Sequence, residues 1–531
     1  MSSNETKSRT VPSDPNRLFS NASRGSLPTR LALVGALFAA SVALSFIYYC
    51  MFGEFTRDSD QVNTFLMAQD MAKGNLFLSH WWISDDNFWL TDVALEAVLI
   101  VVFGAHPTIM FVAPAMIWAA IVILAVWACL RQREWSLAGL LSALALLALP
   151  VLRQNDPMQL IGRVPLHTAS TVYILVMMFL AARMLRAQAA LLEMAALAVI
   201  TVAGVFSDPI IMVIGSASIA LVAAVELLQR PQRRHAILLA VLVGGTLVGR
   251  IGPILMQRLG GLNAYHLPLR FVELKDLGAN LWFGLYSLLL LTGTSFFGRT
   301  VPHAVPFLVR LPFLGLFAWG AWAVGHAYVR QAVFFETFRR IRPLDRILFM
   351  GVVINIVAGL LSDLLHGPSE VRYFFPALVC GTILCARALP SIRWLNTIAL
   401  CAFTCTAAFT VASYIHRPPV VVVFDQGVSG VADRLRAENL THGYASYWFA
   451  SVITAASENQ VHVAAVELNE AGRLQPKLWN SKATWYADFG RVRPFFVLTD
   501  KQELPGKDIR ATFGEPTRRI EVQDFRVLVY D

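Results

Sequence analysis

Two carboxylates, Asp58 and Asp60, follow the first long apolar segment of the chain. An aspartate in such a position can take a proton from a hydroxyl group, or it can cap the helix that follows it. Phe65, Ala68 and Met71 then recur at helical spacing, which predicts a surface helix beginning just after the two acids. Asp60 and Asp58 are therefore candidate catalytic bases, and the sequence leaves open which of them acts.

Other polar residues lie in loops that share a side of the chain with these acids. Arg372 and Tyr373 stand at the start of a late apolar span, where an arginine can bind a phosphate with two parallel hydrogen bonds or extend to lipid head groups. The remaining candidate substrate-binding residues are Asn155, Asp156, Arg163, Arg258, Asp85, Asp86 and Glu370. The loop that holds the paired acids at 85 and 86 also contains three tryptophans, which suit either a sugar ring or an interfacial aromatic belt.

The composition places these residues in a polytopic α-helical membrane protein. The chain has 531 residues, of which 56% are hydrophobic and 15% are charged, far from the composition of a soluble domain. The net charge of +9 would favour a nucleic-acid partner in a soluble protein. Here the basic residues gather in short loops between apolar segments, as the positive-inside rule expects, so no nucleic-acid partner is predicted.

About 20 apolar residues are needed for each membrane span, and eleven segments meet that requirement. The predicted spans are 31–53, 107–130, 134–151, 164–187, 189–206, 208–229, 235–255, 303–329, 346–364, 371–388 and 393–415. Two further apolar segments, 88–104 and 281–298, are predicted to lie at the interface, because counting one of them as a span would put the later basic clusters outside.

With the amino terminus inside, every basic cluster falls on the cytoplasmic side and the candidate acids fall on the other side. This orientation predicts a disordered cytoplasmic tail at 1–30 and a membrane region at 31–416 with outer loops at 54–106 and 256–302. It also predicts a periplasmic α/β domain at 417–531. The predicted location is the bacterial cytoplasmic (inner) membrane.

The carboxy-terminal domain shows strand patterns rather than membrane spans. Strands are predicted at 420–424, 461–468, 494–500 and 518–531, with a helix near 431–440. All six cysteines lie in or at the edge of apolar spans, so no disulfide framework is predicted. The outward histidines lack metal-binding spacing, so no cofactor is predicted, and a divalent metal ion stays an alternative.

Two short motifs resemble the GT-C class of membrane glycosyltransferases, especially lipid A aminoarabinose transferases and protein O-mannosyltransferases. The segment Gln69-Asp70-Met71 with Gly74-Asn75 is similar to the end of the family's surface helix, and Asn155-Asp156-Pro157-Met158 is similar to its later LDP-type motif. In that family a catalytic aspartate precedes the surface helix. The resemblance thus implies that Asp60 has this role, although the acid that commonly follows it is Gln61 here.

The resemblance implies an inverting glycosyltransferase with a polyprenyl-phosphate sugar donor. Asp60 or Asp58 would be the general base, and Arg372, with Arg163 and Arg258 as further candidates, would stabilise the departing phosphate. A glycolipid, a polysaccharide or a protein would be the acceptor, in contact with membrane lipids. The alternatives from other classes are a transporter or flippase for lipid-linked glycans and a surface polysaccharide assembly protein.

Overall fold

The computed structural model of the protein describes most of the chain. The described ranges are 27–53, 56–132, 135–150, 158, 161–162, 167–186, 190–265, 270–329, 341–415, 424–489, 494–499 and 506–530. Within them the α-helices are α1 (Leu27–Phe52), α2 (Ser59–Ala72), α3 (Ala94–Phe103), α4 (Ile109–Leu130), α5 (Leu137–Ala143), α6 (Thr168–Arg186), α7 (Leu191–Ser207), α8 (Ala217–Gln229), α9 (Arg233–Arg258), α10 (Leu277–Leu291), α11 (Val301–Leu308), α12 (Leu311–Val329), α13 (Pro343–Leu361), α14 (Phe375–Ala388), α15 (Arg393–Ile415), α16 (Gln426–Ala437), α17 (Tyr447–Ala456) and α18 (Gly506–Phe513). The strands are β1 (Trp81–Ser84), β2 (Asn263–Tyr265), β3 (His442–Ala445), β4 (His462–Leu468), β5 (Leu474–Pro476), β6 (Ser481–Lys482), β7 (Phe495–Thr499), β8 (Arg518–Val522) and β9 (Phe525–Val529).

Several helices are long and apolar enough to cross a membrane, which makes the chain a multi-pass membrane protein. In the described ranges these are Gly35–Phe52, Ile109–Leu130, Thr168–Arg186, Ile211–Gln229, Arg233–Arg258, Val301–Ala327, Pro343–Leu361, Glu370–Ala388 and Arg393–Ala412. The other two of the eleven predicted spans correspond to shorter apolar helices, Leu137–Ala148 and Leu191–Ser207. Helix α1 begins at Leu27, before the predicted start at 31, so the last residues of the predicted tail are helical.

The predicted interfacial segment at 88–104 forms a π-helical turn, Trp89–Val93, followed by α3. Its two acids, Asp92 and Glu96, are buried against the protein, whereas Val98 and Phe103 are largely exposed. An apolar outer face on a short helix is typical of a segment that lies in the membrane surface.

A buried arginine inside the helical bundle is fully engaged with backbone carbonyls. Arg310 donates from Nε to the carbonyl of Thr292 at 3.1 Å, from Nη1 to Leu149 at 2.6 Å and from Nη2 to Ala145 at 2.9 Å. These carbonyls lie at or near the ends of helical segments, where they have no partner within their own helix. Arg310 therefore has a structural role, unlike the ionisable residues that line a transport pathway.

The carboxy-terminal region forms a six-stranded sheet in the order β5-β4-β3-β7-β9-β8. Strand β3 is parallel to both β4 and β7. The other three neighbouring pairs, β5–β4, β7–β9 and β9–β8, are antiparallel. The predictions at 461–468 and 494–500 match β4 and β7, and the one at 518–531 divides into the hairpin β8–β9. The predicted strand at 420–424 lies almost wholly outside the described residues. Strand β3 was not predicted, because four residues give too short a period-2 pattern.

The carboxy-terminal region contacts the membrane region through a small second sheet and through α2. Strand β1 pairs with β2 and with β6, so three distant parts of the chain meet there. On α2, the Ser59 hydroxyl donates to the carbonyl of Tyr447 at 2.5 Å, and Asn459 donates to the Gln69 side chain at 3.1 Å. These contacts fix α2, the helix that carries Asp60, and most of its residues are buried.

Asp70 at the end of α2 joins the helix to strands β1 and β6 of this junction. One carboxylate oxygen accepts hydrogen bonds from Asn75 at 2.6 Å, from the Trp81 indole at 2.8 Å and from Lys482 at 2.8 Å. Burial disfavours the ionised carboxylate, but Lys482, Trp81 and Asn75 outweigh it and hold the pKa of Asp70 below its usual range. Asp70 and Asn75, which belong to the motif that resembles the GT-C class, therefore have a structural role at this junction.

We expect Asp70→Ala to destabilise the protein by about 1–3 kcal/mol, because it leaves the buried Trp81 indole without its acceptor. Because the folded-state pKa of Asp70 is depressed, the ionised carboxylate stabilises the fold at neutral pH. This stabilisation is lost as the pH falls through that pKa. Thermal unfolding in detergent measures the effect. Asp433→Ala, at an exposed ion pair, is the matched control and should change stability by less than about 1 kcal/mol. Equal losses in the two variants would contradict this role for Asp70.

Candidate active site

The two amino-terminal acids have different environments in the structure. The Asp58 carboxylate accepts hydrogen bonds from the backbone N–H of Asp60 at 3.2 Å and of Gln61 at 3.4 Å, and the Gln61 side chain accepts from the Asp58 N–H at 3.3 Å. This reciprocal pair is a capping box, which starts α2. Asp60, one residue into the helix, lines a cavity. The geometry therefore separates a capping acid from a cavity-lining acid.

The cavity has a volume of about 460 Å³ and lies between α2, the loop after β1, the membrane helices and the carboxy-terminal region. Its polar lining residues are Asp60, Thr64, Ser84, Asp85, Asp86, Asn87, His167, Arg270, Asn355, Ser362, Arg372, Tyr373 and Asn480. Its apolar and aromatic lining residues include Met67, Phe88, Pro209, Ile210, Val213, Ile214, Phe271, Ala358, Leu361, Leu364 and Trp479. A pocket with apolar walls and convergent polar groups is typical of a ligand-binding site.

Asp60 is held in a state suited to proton transfer near neutral pH. Burial raises the pKa of Asp60 to about 6, and the neighbouring Asp58 charge adds to this effect. A hydrogen bond donated by the Tyr447 hydroxyl and the positive charge of Arg372 act in the opposite direction. The Asn480 amide donates in turn to the Tyr447 hydroxyl at 3.2 Å. A carboxylate with a pKa of about 6 is mostly ionised at pH 7 and is a stronger base than an exposed aspartate.

Arg372 lies in the 3₁₀ turn Pro368–Phe374 and also lines the cavity. Its Nη2 donates to the Tyr373 hydroxyl at 3.3 Å, and its guanidinium lies 5.1 Å from the centroid of that ring. Asn355 of α13 holds the turn, because its amide donates to the Tyr373 carbonyl at 2.8 Å and accepts from the Ala377 N–H at 2.8 Å. Among the described residues, the buried Nε of Arg372 has no hydrogen-bond partner. The guanidinium therefore keeps donor capacity for an anion.

The paired acids after β1, Asp85 and Asp86, face different basic residues. Asp85 Oδ1 lies 3.8 Å from Nη1 of Arg250, a charged residue within α9. Asp86 Oδ2 lies 4.0 Å from Nε2 of His167. Burial raises the pKa of Asp86 to about 6, with a further increase from the nearby Asp208 carboxylate and a decrease from His167. Both acids line the cavity.

Not every predicted site residue lies at the cavity. Arg258 is exposed at the end of α9, and neither Arg258 nor Glu370 is among the described residues that line the cavity. They were predicted from their side of the membrane in the sequence pattern, which carries no information on their distance from Asp60. Asn155, Asp156 and Arg163 lie outside the described residues.

Two of the three tryptophans in the segment between α2 and α3 have structural partners. The Trp81 indole donates to Asp70 and the Trp89 indole donates to the carbonyl of Leu76, both at 2.8 Å. The cavity is lined instead by Trp479 from the carboxy-terminal region. Trp479, Tyr447 and Asn480 were not predicted, because no motif marks them and they are distant from Asp60 in the sequence.

His167 and Asp208 were also not predicted as site residues. His167 has no recognised spacing to another ligand or acid, and Asp208 belongs to a Ser-Asp-Pro segment that is typical of a helix start. Across the parts of the chain that the structure describes, no group of three His, Cys, Asp or Glu side chains is arranged to hold a metal ion, so we assign no residue to a metal.

We expect the pH dependence of activity to shift in opposite directions when the neighbours of Asp60 are changed. Tyr447→Phe removes the hydrogen bond that lowers the pKa of Asp60, so the acid limb of the pH–rate profile should move to higher pH. Asp58→Asn removes a neighbouring negative charge while keeping a good helix cap, so that limb should move to lower pH. Rates measured between about pH 4 and 8 test both shifts. Two shifts in the same direction would show that Asp60 does not control the limb.

No protein-family model and no curated protein matches the sequence. Among solved structures, the protein is similar to ArnT from Cupriavidus metallidurans bound to undecaprenyl phosphate, with a TM-score of 0.56 and 11% sequence identity, over 94% of this chain and 98% of that chain. The apo state of ArnT from Cupriavidus metallidurans covers the same shares at 12% identity and a TM-score of 0.42.

The first of these similarities shows the fold. The protein has a GT-C fold, with a carboxy-terminal α/β region. Within that class, its fold is the one seen in ArnT, which confirms the fold predicted from the two short motifs.

Proposed function

We propose that this protein is an inverting glycosyltransferase, which moves a sugar from a polyprenyl-phosphate donor to a hydroxyl group of a lipid, polysaccharide or protein acceptor. The observation that carries the proposal is the placement of Asp60 and Arg372 in one cavity. In a displacement at a sugar carbon, a base can activate the attacking hydroxyl and a cation with an unused hydrogen-bond donor can stabilise the leaving group. The fold, and the undecaprenyl phosphate bound by ArnT, support this donor class.

In the proposed reaction, Asp60 takes the proton of the acceptor hydroxyl while that oxygen attacks the anomeric carbon. A new bond forms between the acceptor oxygen and the anomeric carbon. The bond from that carbon to the phosphate oxygen breaks, and its electron pair leaves with the polyprenyl phosphate. Attack from the face opposite the leaving group inverts the configuration at the anomeric carbon.

Arg372 is the group that stabilises the departing phosphate. Its free Nε and its planar guanidinium suit a tetrahedral anion, and the hydroxyl of Tyr373 lies beside it. The apolar part of the cavity, with Val213 and Ile214 before α8 and Ala358 and Leu361 on α13, accommodates the first isoprene units of the lipid. Asp85 and Asp86 are placed to accept hydrogen bonds from sugar hydroxyls.

We further propose that the reaction takes place at the outer face of the bacterial cytoplasmic membrane, with the amino terminus in the cytoplasm. The arginines between the spans gather on the side of the chain opposite Asp60, as the positive-inside rule expects. In the proposed domain division, residues 1–30 form a cytoplasmic tail, 31–416 the catalytic membrane domain and 417–531 a periplasmic domain. Nucleotide sugars are absent from that compartment, so a lipid-linked sugar is the donor that this location requires.

The experiment that tests the function uses the full-length protein in lipid nanodiscs. A set of undecaprenyl-phosphate monosaccharides serves as donors, with membrane glycolipids, polysaccharide and cell-envelope protein as acceptors. Mass spectrometry should show an acceptor heavier by one sugar and an equal amount of free undecaprenyl phosphate. A protein that moves the intact donor across a vesicle membrane, and releases no undecaprenyl phosphate with any acceptor, would instead be a flippase.

A further inference from the structure

His167 is a buried residue of the cavity wall that the mechanism above does not use. It stands immediately before α6, with a backbone φ of 63°, a conformation that few side chains adopt readily. Its Nδ1 lies 2.7 Å from Oδ2 of Asp208. The other ring nitrogen, Nε2, lies on the side of Asp86, which lines the cavity. A histidine held on one nitrogen by a buried carboxylate can present a proton on the other.

Asp208 is built to orient this histidine as an anion. It is fully buried between α7 and α8, and it accepts hydrogen bonds from the Ser170 hydroxyl and from the Ile210 N–H at 2.9 Å, besides the one from His167. Burial disfavours the carboxylate, but the charge of His167 and these hydrogen bonds outweigh it and hold the pKa of Asp208 below its usual range.

The charged groups that face His167 favour its protonated form. Asp208 approaches from the end of α7, Asp86 from the loop after β1, and Arg372 from the 3₁₀ turn before α14. Asp92, in the π-helical turn Trp89–Val93, adds a further negative charge near the ring. Burial and Arg372 lower the pKa of His167, but the carboxylates of Asp208 and Asp86 outweigh them and raise it. The Asp86 carboxylate is 4.0 Å from Nε2, beyond hydrogen-bond distance, so it adds charge without occupying the donor.

The position of the ring points to the leaving group. The His167 ring lies 5.1 Å from the ring of Tyr373, whose hydroxyl accepts from Arg372. His167 therefore lies on the wall that holds the proposed phosphate site, and Asp60 serves the acceptor end of the reaction.

We propose that His167 is the general acid of this reaction, positioned by Asp208, and that it donates its Nε2 proton to the departing polyprenyl phosphate; this inference rests on the proposed function. As the bond between the anomeric carbon and the phosphate oxygen breaks, its electron pair stays on that oxygen and the imidazolium proton neutralises it. Asp60 meanwhile gains the proton of the acceptor hydroxyl. Exchange with water returns a proton to His167 and removes one from Asp60, so the cycle closes without another reactant.

The matched variant is His167→Asn. Asparagine is among the residues that best tolerate a positive φ, and its amide can still donate to Asp208, so the fold should be kept. His106→Asn, the same substitution at an exposed histidine outside the cavity, is the control. Asp208→Asn keeps the shape of the positioning residue but removes its charge.

The first measurement is the transfer rate against pH with an undecaprenyl-phosphate donor that the wild type uses. The wild type should show a falling limb at high pH, where His167 loses its proton. His167→Asn should reduce the rate by about 10²-fold and remove that limb, while the acid limb set by Asp60 stays. Asp208→Asn should move the falling limb to lower pH, because the charge that raises the pKa of His167 is gone. A merely structural role would not produce these shifts.

The second measurement needs no turnover, since undecaprenyl phosphate alone is titrated into the protein and binding is followed by tryptophan fluorescence. Ionisation of the phosphate affects all variants equally. The difference in affinity between the wild type and His167→Asn therefore reports the protonation of His167. At acid pH the wild type should bind more tightly than His167→Asn, and the difference should vanish as the pH rises above the pKa of His167. His106→Asn should match the wild type throughout.

The outcomes separate the two proposals. If the wild type transfers sugar but His167→Asn keeps the rate and the falling limb, the role of His167 is overturned and the proposed function stands. If the wild type neither transfers sugar nor binds undecaprenyl phosphate, the proposed function is overturned and this inference falls with it.

Discussion

Asp60→Asn should lower the sugar-transfer rate by about 10²–10⁴-fold, the range that general-base catalysis contributes. The amide has the shape of the carboxylate and can still accept the hydrogen bond of the Tyr447 hydroxyl, but it cannot take a proton. Initial rates with a saturating lipid-linked donor measure the loss, and binding of undecaprenyl phosphate should persist.

The same substitution should not destabilise the protein. The pKa of Asp60 is raised from 3.8 to about 6, so the folded state loses stability as the pH rises from 4 to 6. At neutral pH the ionised Asp60 costs the folded state on the order of 2–3 kcal/mol. A neutral amide removes this cost. The melting temperature of Asp60→Asn should therefore equal or exceed that of the wild type. A variant that is inactive because it is unfolded would show the reverse.

Asp58→Asn is the matched control for this experiment. It changes the acid two residues away, keeps the helix cap and should retain most of the transfer rate at neutral pH. A wild-type rate in Asp60→Asn, together with a large loss in Asp58→Asn, would show that Asp58 is the base.

Arg372→Ala should lower the transfer rate by about 10²–10³-fold, because the departing phosphate loses its principal cation. Arg372→Lys should be intermediate, since it restores the charge but not the planar set of donors. A second readout comes from Asp60, whose pKa is lowered by Arg372. In Arg372→Ala the acid limb of the pH–rate profile should therefore move to higher pH.

Arg258→Ala is the control for the loss of an arginine that does not line the cavity. Its side chain is exposed at the end of α9, away from the lining of the cavity, so the rate should change little. Equal losses in Arg258→Ala and Arg372→Ala would mean that the effect of Arg372 is a general loss of positive charge.

The local features of the site were predictable from sequence, because they depend on neighbours in the chain. The spacing after Asp60 predicted α2. From the sequence, an acid at the start of this helix had two possible roles, capping and catalysis. In the structure Asp58 caps the helix and Asp60 lines the cavity. Apolar runs located the spans, although α5 and α7 are shorter than the predicted segments.

The long-range features were not predictable from a single sequence. Tyr447 bonds to Asp60 across 387 positions, and His167 bonds to Asp208 across 41, with no pattern in either segment that pairs them. Arg258 was assigned to the site from its side of the membrane alone, and sidedness cannot tell a cavity residue from an exposed one. Three-dimensional packing supplies that distinction.

The most direct test of the proposed site is crosslinking with a photoreactive undecaprenyl phosphate, with the diazirine in the isoprene units next to the phosphate, on the full-length protein in nanodiscs. We expect peptides with Val213, Ile214, Ala358 or Leu361 to be labelled, unlabelled undecaprenyl phosphate to compete, and Arg372→Ala to weaken the labelling. Labelling confined to lipid-facing helices, without competition, would show that this cavity does not bind the lipid carrier.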